Sequence, residues 1–407
     1  MIRIGPPSPD RAEELYAAVS KVFSHIGQSR FARFCREAYF ANSGYDWRAS
    51  RVLEADGRIV SHVGVWAYRM RVGGARLRTG GIGAVMTAED CRRRGYGRRL
   101  MRATVASMRD AGYHLSMLFG RRDYYHHFGY VQAWPSRRCV VETADLPAGP
   151  LRLRLRKVPL KQALCGRGTI MRIYNRENAR RTGTAERPIY TRPGALWLDA
   201  ECRTLSDAAG RVRGYVITRR TDEGLRVDEV GGLGRRGGVG QVLAAVRTLA
   251  RRAGCERVVV PAHADNHPLC AALREGDCRV ERTYRRSGGP MVVAIDLAGC
   301  LRAMAGELGV RLRSSSMKGF RGSLAVGGAG ERAVLRLAAG RVRVEARSSR
   351  TRHRIAAGRH VARLLIGSEP PSVLARQSGI AFRGRAAELA EALFPAQWPM
   401  LHPIDHY

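Results

Sequence analysis

Lysine is nearly missing from this chain: only Lys21, Lys157, Lys161 and Lys318, although Lys and Arg together number 71. Acidic residues are scarce too, 35 in all, which leaves a formal charge of +36 over 407 residues. Arginine in place of lysine along a whole chain is what GC-rich coding writes. The alternative is a basic surface for phosphates. The arginines gather in no single arm and aromatics are only 7%, so a ring-studded platform for single-stranded nucleic acid is not expected. None of the nine cysteines forms a C-x-x-C pair, so reduced thiols are expected and neither a disulfide scaffold nor a metal site. Apolar runs of the roughly 18 residues that a spanning helix needs are absent, so no membrane partner is expected. The start, Met1-Ile2-Arg3-Ile4-Gly5-Pro6-Pro7, does not read as a secretory leader, and a cytoplasmic location follows as the expectation.

Periodicity supplies the elements that are there. Residues 8–23 predict a helix capped by Ser8, with Leu15, Ala18, Val19 and Val22 on one face. Strands are expected at 51–55 and 58–66 around the Asp56-Gly57 turn, then near 75–79 and at 81–87. A helix over 96–111, a strand over 114–119 and a short helix over 123–128 complete a first round. A second round repeats the order: a hairpin at 214–231, a helix over 241–253, a strand over 256–261, a helix over 268–275. Short strands at 323–326, 333–338 and 342–346 follow, with helical patterns at 360–366, 371–377 and 385–393 and an extended tail over 395–407. The fold class is therefore α/β (α+β). Domains are expected at 1–150, 151–290 and 291–407, with Ser287-Gly288-Gly289-Pro290 as a linker.

The segment richest in chemistry is Val85-Met86-Thr87, then a basic loop with Arg92-Arg93-Arg94, then Gly95-Tyr96-Gly97 at the start of a helix. The first turn of a helix carries N–H groups without internal partners, and its dipole favours anions. Glycine lets a pyrophosphate approach the backbone, and arginines add charge-assisted donors. The pattern lacks the early glycine of a dinucleotide fingerprint and the G-K-[ST] ending of a nucleoside triphosphate loop.

Arg92-x-x-Gly95-x-Gly97 after a strand resembles the acetyl-CoA loop of the GNAT superfamily of N-acetyltransferases. Two such rounds before a small α+β domain resemble, more narrowly, its enhanced intracellular survival (Eis) group: tandem GNAT folds, the second degenerate, then a sterol-carrier-like domain. Residues Gly80–Leu100, Tyr125-His126-His127-Phe128-Gly129-Tyr130 and the terminal Leu393-Phe394-Pro395 … Asp405-His406-Tyr407 carry that resemblance. It implies acetyl-CoA as co-substrate, held by Val85, Met86, Thr87, Arg92, Arg93, Arg94, Gly95, Tyr96 and Gly97. It implies Tyr125, five residues before the Tyr of F-G-Y, as general acid, with Tyr124 its neighbour. It implies the carboxylate of Tyr407 as base, and often a hexamer.

The activity expected from that resemblance is acetyl transfer to a primary amine, on a small molecule or a peptide, by direct attack. The alternative is a basic nucleic-acid-binding or acyl-CoA-sensing protein that has lost turnover. His25, Tyr39 and Trp66 are candidates for the amine pocket or for plain core packing, and His62 shares a sheet face with Trp66. The second loop, Gly234-Arg235-Arg236-Gly237-Gly238-Val239-Gly240, repeats the glycine pattern, but no F-G-Y segment follows it. Polycationic aminoglycosides suit so basic a chain only if Glu37, Asp46, Asp123 or Asp405 line the pocket.

Overall fold

A computed structural model describes residues 1–23, 27–40, 44–147, 149–164, 168–187, 199–234, 236–261, 266–345 and 351–407. His25, Cys165, Arg235 and Ala346 lie outside these. Two units emerge. One comprises 1–134, 286–397 and Tyr407; the other comprises 135–285 and 398–406.

The first unit is built on strands β1 (Ile2–Gly5), β2 (Arg51–Ala55), β3 (Arg58–Val72), β4 (Ala75–Thr87), β5 (Leu115–Gly120) and β6 (Val131–Gln132). A seventh strand, Gly289–Ala294, lies between β5 and β6 and pairs antiparallel with both. Gly289 and Pro290, expected in a linker, begin that strand: Pro290 stands opposite Phe119. β4 is one strand of 13 residues, not two. Gly80 and Gly81 do not break it because β3 holds one edge and β5 the other. Helix α1 (Ala12–Val22) and helix α2 (Gln28–Phe34) belong to one side of the sheet. There Leu15, Tyr16, Val19, Phe40, Tyr45 and Trp66 form a core. Helix α3 (Tyr96–Asp110) covers the other side with Leu100, Met101 and Met108 against Val63, Val65 and Ile82. The remainder of this unit is a five-stranded sheet. Its order is Arg341–Glu345, Glu331–Ala338, Gly322–Gly328, His353–Gly358, Ala381–Arg383. The helix Leu297–Arg313 runs before it, capped by Asp296 accepting from the Gly299 N–H at 2.7 Å.

The second unit repeats the plan. Its strands are β7 (Ser136–Glu142), β8 (Arg154–Val158), β9 (Glu201–Ser206), β10 (Val212–Thr221), β11 (Gly224–Gly231), β12 (Arg257–Pro261) and β13 (Cys278–Thr283), in the order β13-β7-β12-β11-β10-β9-β8. As β4 and β5 flank α3 and pair parallel, so β11 and β12 flank the helix Gly238–Arg252 and pair parallel. Among the described residues no helix is long and apolar enough to cross a membrane.

Candidate active site

The site starts where two parallel strands stop pairing. β4 meets β5 from Thr79–Leu115 to Ile82–Leu118 and no further. Beyond that point β4 continues to Thr87 on β3 alone, while β5 runs on to Gly120. A bulge lies in that stretch: Ser61 and His62 face Thr87 and Met86, Gly64 faces Gly83, and Ala84 and Val85 share the single residue Val63. Ala84 takes a φ of +45°, outside the usual range for a residue with a Cβ.

His62 holds that bulge. Its ring is fully buried; Nδ1 is 2.8 Å from the Ala84 carbonyl and Nε2 is 2.8 Å from the Tyr45 hydroxyl. A carbonyl only accepts, so Nδ1 carries the hydrogen and Tyr45 donates to Nε2. Burial pushes the imidazole down to about 4, against a smaller upward pull from the Ala84 carbonyl. The neutral ring is thus the form that fits. The Ser61 hydroxyl donates to the Met86 carbonyl at 2.7 Å and lies 2.9 Å from Thr87 Oγ1.

After β4 the chain turns through Glu89–Cys91 and enters α3 at Gly95, whose φ of +75° suits glycine. No side chain caps this helix. Arg92, Arg93 and Arg94 stand exposed on the approach, with Arg92 Nε 3.4 Å from the Thr87 carbonyl. A Cβ on Gly97 would stand 3.0 Å from the Tyr124 hydroxyl and 3.4 Å from Thr87 Oγ1. Open N–H groups, cationic side chains and glycines at the closest points are what a diphosphate requires. Tyr96 is different: its ring is buried in the core on the α3 side.

Tyr124 and Tyr125 part company here. Tyr124 stands beside Gly97. The ring of Tyr125 instead packs on Gly120, the last residue of β5, where any Cβ would collide with it. Burial, then the neighbouring Tyr124, raises the Tyr125 phenol well above its ordinary range, so it is protonated at neutral pH. The rings of His126 and His127 lie 3.9 Å apart, tilted by 37°, and His126 Nδ1 donates to the Arg122 carbonyl at 2.9 Å. No group of ligands suited to a metal occurs among the described residues.

Tyr407 is docked. Its ring lies on Gly81 of β4, where a Cβ would come to 2.6 Å of it, and neighbours Tyr68 at 5.7 Å and Phe119 at 6.0 Å. Burial, with Tyr68 next in effect, lifts its phenol well above the usual value. Two residues on, Gly83 leaves the same kind of space for the Tyr39 hydroxyl and the Trp66 ring. Trp66 itself is fully buried, stacked on Tyr39 at 4.5 Å, with Nε1 donating to the Tyr39 carbonyl at 3.0 Å. Glycines at alternate positions of one strand were the signal for this packing.

An open cavity of about 930 Å³ adjoins α1, α2 and the end of β4. Glu14, Glu89 and Asp90 are balanced there by Lys21, Arg58 and Arg92. None of the four carboxylates considered for a polycation lines it. Asp46 accepts from the Tyr113 hydroxyl at 2.6 Å, Asp123 pairs with Arg286, Asp405 is buried in the second unit, and Glu37 is exposed elsewhere.

The corresponding loop of the second unit keeps a cavity of about 330 Å³ beside Arg236, Gly237 and Gly238, but two of its amides are already bound. Gly237, at φ +71°, starts its helix as Gly95 starts α3. The Glu177 carboxylate, however, accepts from Gly232 N–H at 3.0 Å and Gly234 N–H at 3.1 Å. On β11 the fully buried Glu229 is bound to Arg187.

Residues 3–133 match the family model described as acetyltransferase (GNAT) domain. This stretch is a GNAT acetyltransferase domain. A domain of this kind is an N-acetyltransferase domain whose acyl donor is acetyl-CoA. Solved structures of similar fold span the whole chain. A GCN5-related N-acetyltransferase from Anabaena variabilis shares 17% identity at a TM-score of 0.76, covering all of both chains. One from Kribbella flavida shares 20% at 0.73, over 100% of this chain and 98% of that one. Eis1 from Mycobacterium abscessus shares 15% at 0.69, over 99% of each. No curated protein sequence matches the chain.

Proposed function

We propose that the acetyl group passes to a primary amine, on a small molecule or a peptide, by direct attack while both substrates are bound. The bound donor supplies an acetyl thioester. Val85, Met86 and Thr87 line its arm with their main chain, and Arg92–Arg94 with Gly95–Gly97 hold its diphosphate. The carboxylate of Tyr407 accepts the proton of the attacking amine. Tyr125 gives its phenolic proton to the departing sulfur. The observation that carries this reading is the seat of Tyr407 on Gly81, on the same strand that ends in Val85-Met86-Thr87. A frayed terminus is the ordinary state of a chain end, and a ring fitted into a glycine gap is not one.

The residues 151–290 act on this reading as a silent copy of the catalytic domain, and 291–407 as a sterol-carrier-like domain that delivers the tail. Glu177 supports the first point, since an internal carboxylate already occupies two amides of the loop. The balanced charges of the cavity speak against a polycationic acceptor. Hexameric assembly and a cytoplasmic site of action complete the proposal. Deleting His406 and Tyr407 tests it: thiol release from acetyl-CoA with an amine panel should collapse while acetyl-CoA still binds. Undiminished turnover would remove the carboxylate from the mechanism.

A further inference from the structure

The tail that ends in Tyr407 carries an acid where an apolar residue would pack as well. Asp405 is 0% exposed, and so is its neighbour Ile404, which packs with Tyr174, Cys202, Tyr215 and Ile217 of the second unit. Asp405 meets a guanidinium that is itself 1% exposed: Arg187 Nη2 and Nε stand 2.7 and 2.9 Å from its Oδ1. The other edge of Arg187 is bidentate to Glu229, at 2.9 and 2.6 Å. Its plane lies over the Tyr174 ring at 3.7 Å. The Tyr174 hydroxyl reaches Asp405 Oδ2 at 3.0 Å, and the Tyr215 hydroxyl donates to Glu229 Oε1 at 2.8 Å.

Arg187 and Glu229 already neutralise each other, so Asp405 is not needed to balance a stranded charge. Buried ion pairs contribute little net stability, but they restrict geometry strongly. The tail from Trp398 to Pro403 has no ladder to set its register; its main chain touches the second unit through Met400 N–H to the Thr182 carbonyl at 3.0 Å and the Pro399 carbonyl to Arg137 at 3.4 Å. A carboxylate that must meet a fully buried, oriented guanidinium allows only one register. Tyr407 follows two residues later, so its reach from Asp405 is at most about 7 Å.

We infer that Arg187, through Asp405, is a positioning residue for the terminal carboxylate; this rests on the proposed role of that carboxylate as base. Arg187 touches no reacting atom. Its hold on Asp405 sets the register of the tail two residues before Tyr407.

The test uses the full chain. In Asp405→Ala, carboxypeptidase should remove Tyr407 from the folded protein about tenfold faster or more, read by mass spectrometry, since losing a buried charged partner shifts such an equilibrium by over an order of magnitude. The kcat should fall with the KM for acetyl-CoA unchanged, and Asp405→Asn should recover part of both. If Asp405→Ala does not fold, Arg187→Lys keeps the charge and loses the fork, and should give the same pattern more weakly. A folded variant with wild-type release of Tyr407 overturns the positioning role. A chain lacking Tyr407 that still turns over normally overturns the base instead, whatever the release rate.

Discussion

Single residues set the chemistry here through what surrounds them. Burial keeps Tyr125 protonated, which suits the donor role proposed for it. Tyr125→Phe removes the proton and little volume; kcat for thiol release should drop about 10²-fold or more, the usual scale of general acid catalysis, with acetyl-CoA affinity retained. Tyr124→Phe, beside Gly97, should leave kcat within a few-fold, and equal losses in the two variants would reject the assignment. His62 makes a different prediction. Its folded pKa of about 4 lies below the ordinary 6.5. Between these values the unfolded chain binds the proton and the folded chain does not. The contribution is complete above about pH 6.5 and is lost as pH falls toward 4, by about 3 kcal/mol in all. His62→Gln can still donate to Ala84 and accept from Tyr45. Urea unfolding from pH 7 to pH 4.5 should therefore show a flatter loss of stability than wild type, the remainder coming from groups such as His406, also pushed down to about 4 by burial.

At the scale of elements, β4 does most of the positioning. Its glycines are not loosening points but clearances: Gly81 admits Tyr407, Gly83 admits Tyr39 and Trp66, and Gly80 admits Met108 from the other side. Gly81→Val should evict the Tyr407 ring. Turnover should fall about as far as it does on deleting the terminal residues, with the melting temperature and acetyl-CoA binding far less affected; wild-type kcat would show that the seat is dispensable. The strand–loop–helix around Arg92–Gly97 was legible in the sequence because its glycines and arginines must be local to act together. The paired glycines were harder to read: Gly80-Gly81 looks like a break, and only partners on both edges make it a strand. The helix Leu297–Arg313 escaped the sequence reading for a similar reason. Gly299, Gly306 and Gly309 depress its helical propensity, and packing of Leu301, Met304, Leu308 and Leu312 overrides that cost. The bulge at Ala84 leaves no trace in the residue pattern, since the histidine that secures it lies 22 positions away.

For the whole molecule, the proposed silence of the second copy predicts one bound acetyl-CoA per chain, by calorimetric titration; two would mean that Glu177 yields its place. The net charge of +36 should also make donor binding weaken with added salt, because in the proposed complex the diphosphate meets exposed arginines. The repetition itself was visible in the order of elements. The crossing of strands was not, because Ser136–Glu142 pairs with Arg257–Pro261 and Cys278–Thr283, more than a hundred residues further along. That crossing also governs how the protein is made. The catalytic sheet receives its sixth strand in order only when Gly289–Ala294 has been synthesised. A ribosome that has translated residues 1–150 therefore holds a sheet with β5 still open along its length, a ready template for mispairing. The second sheet, whose last strand ends at Thr283, is thus available in full before the first, and a gene cut at codon 150 should yield aggregates rather than a minimal transferase.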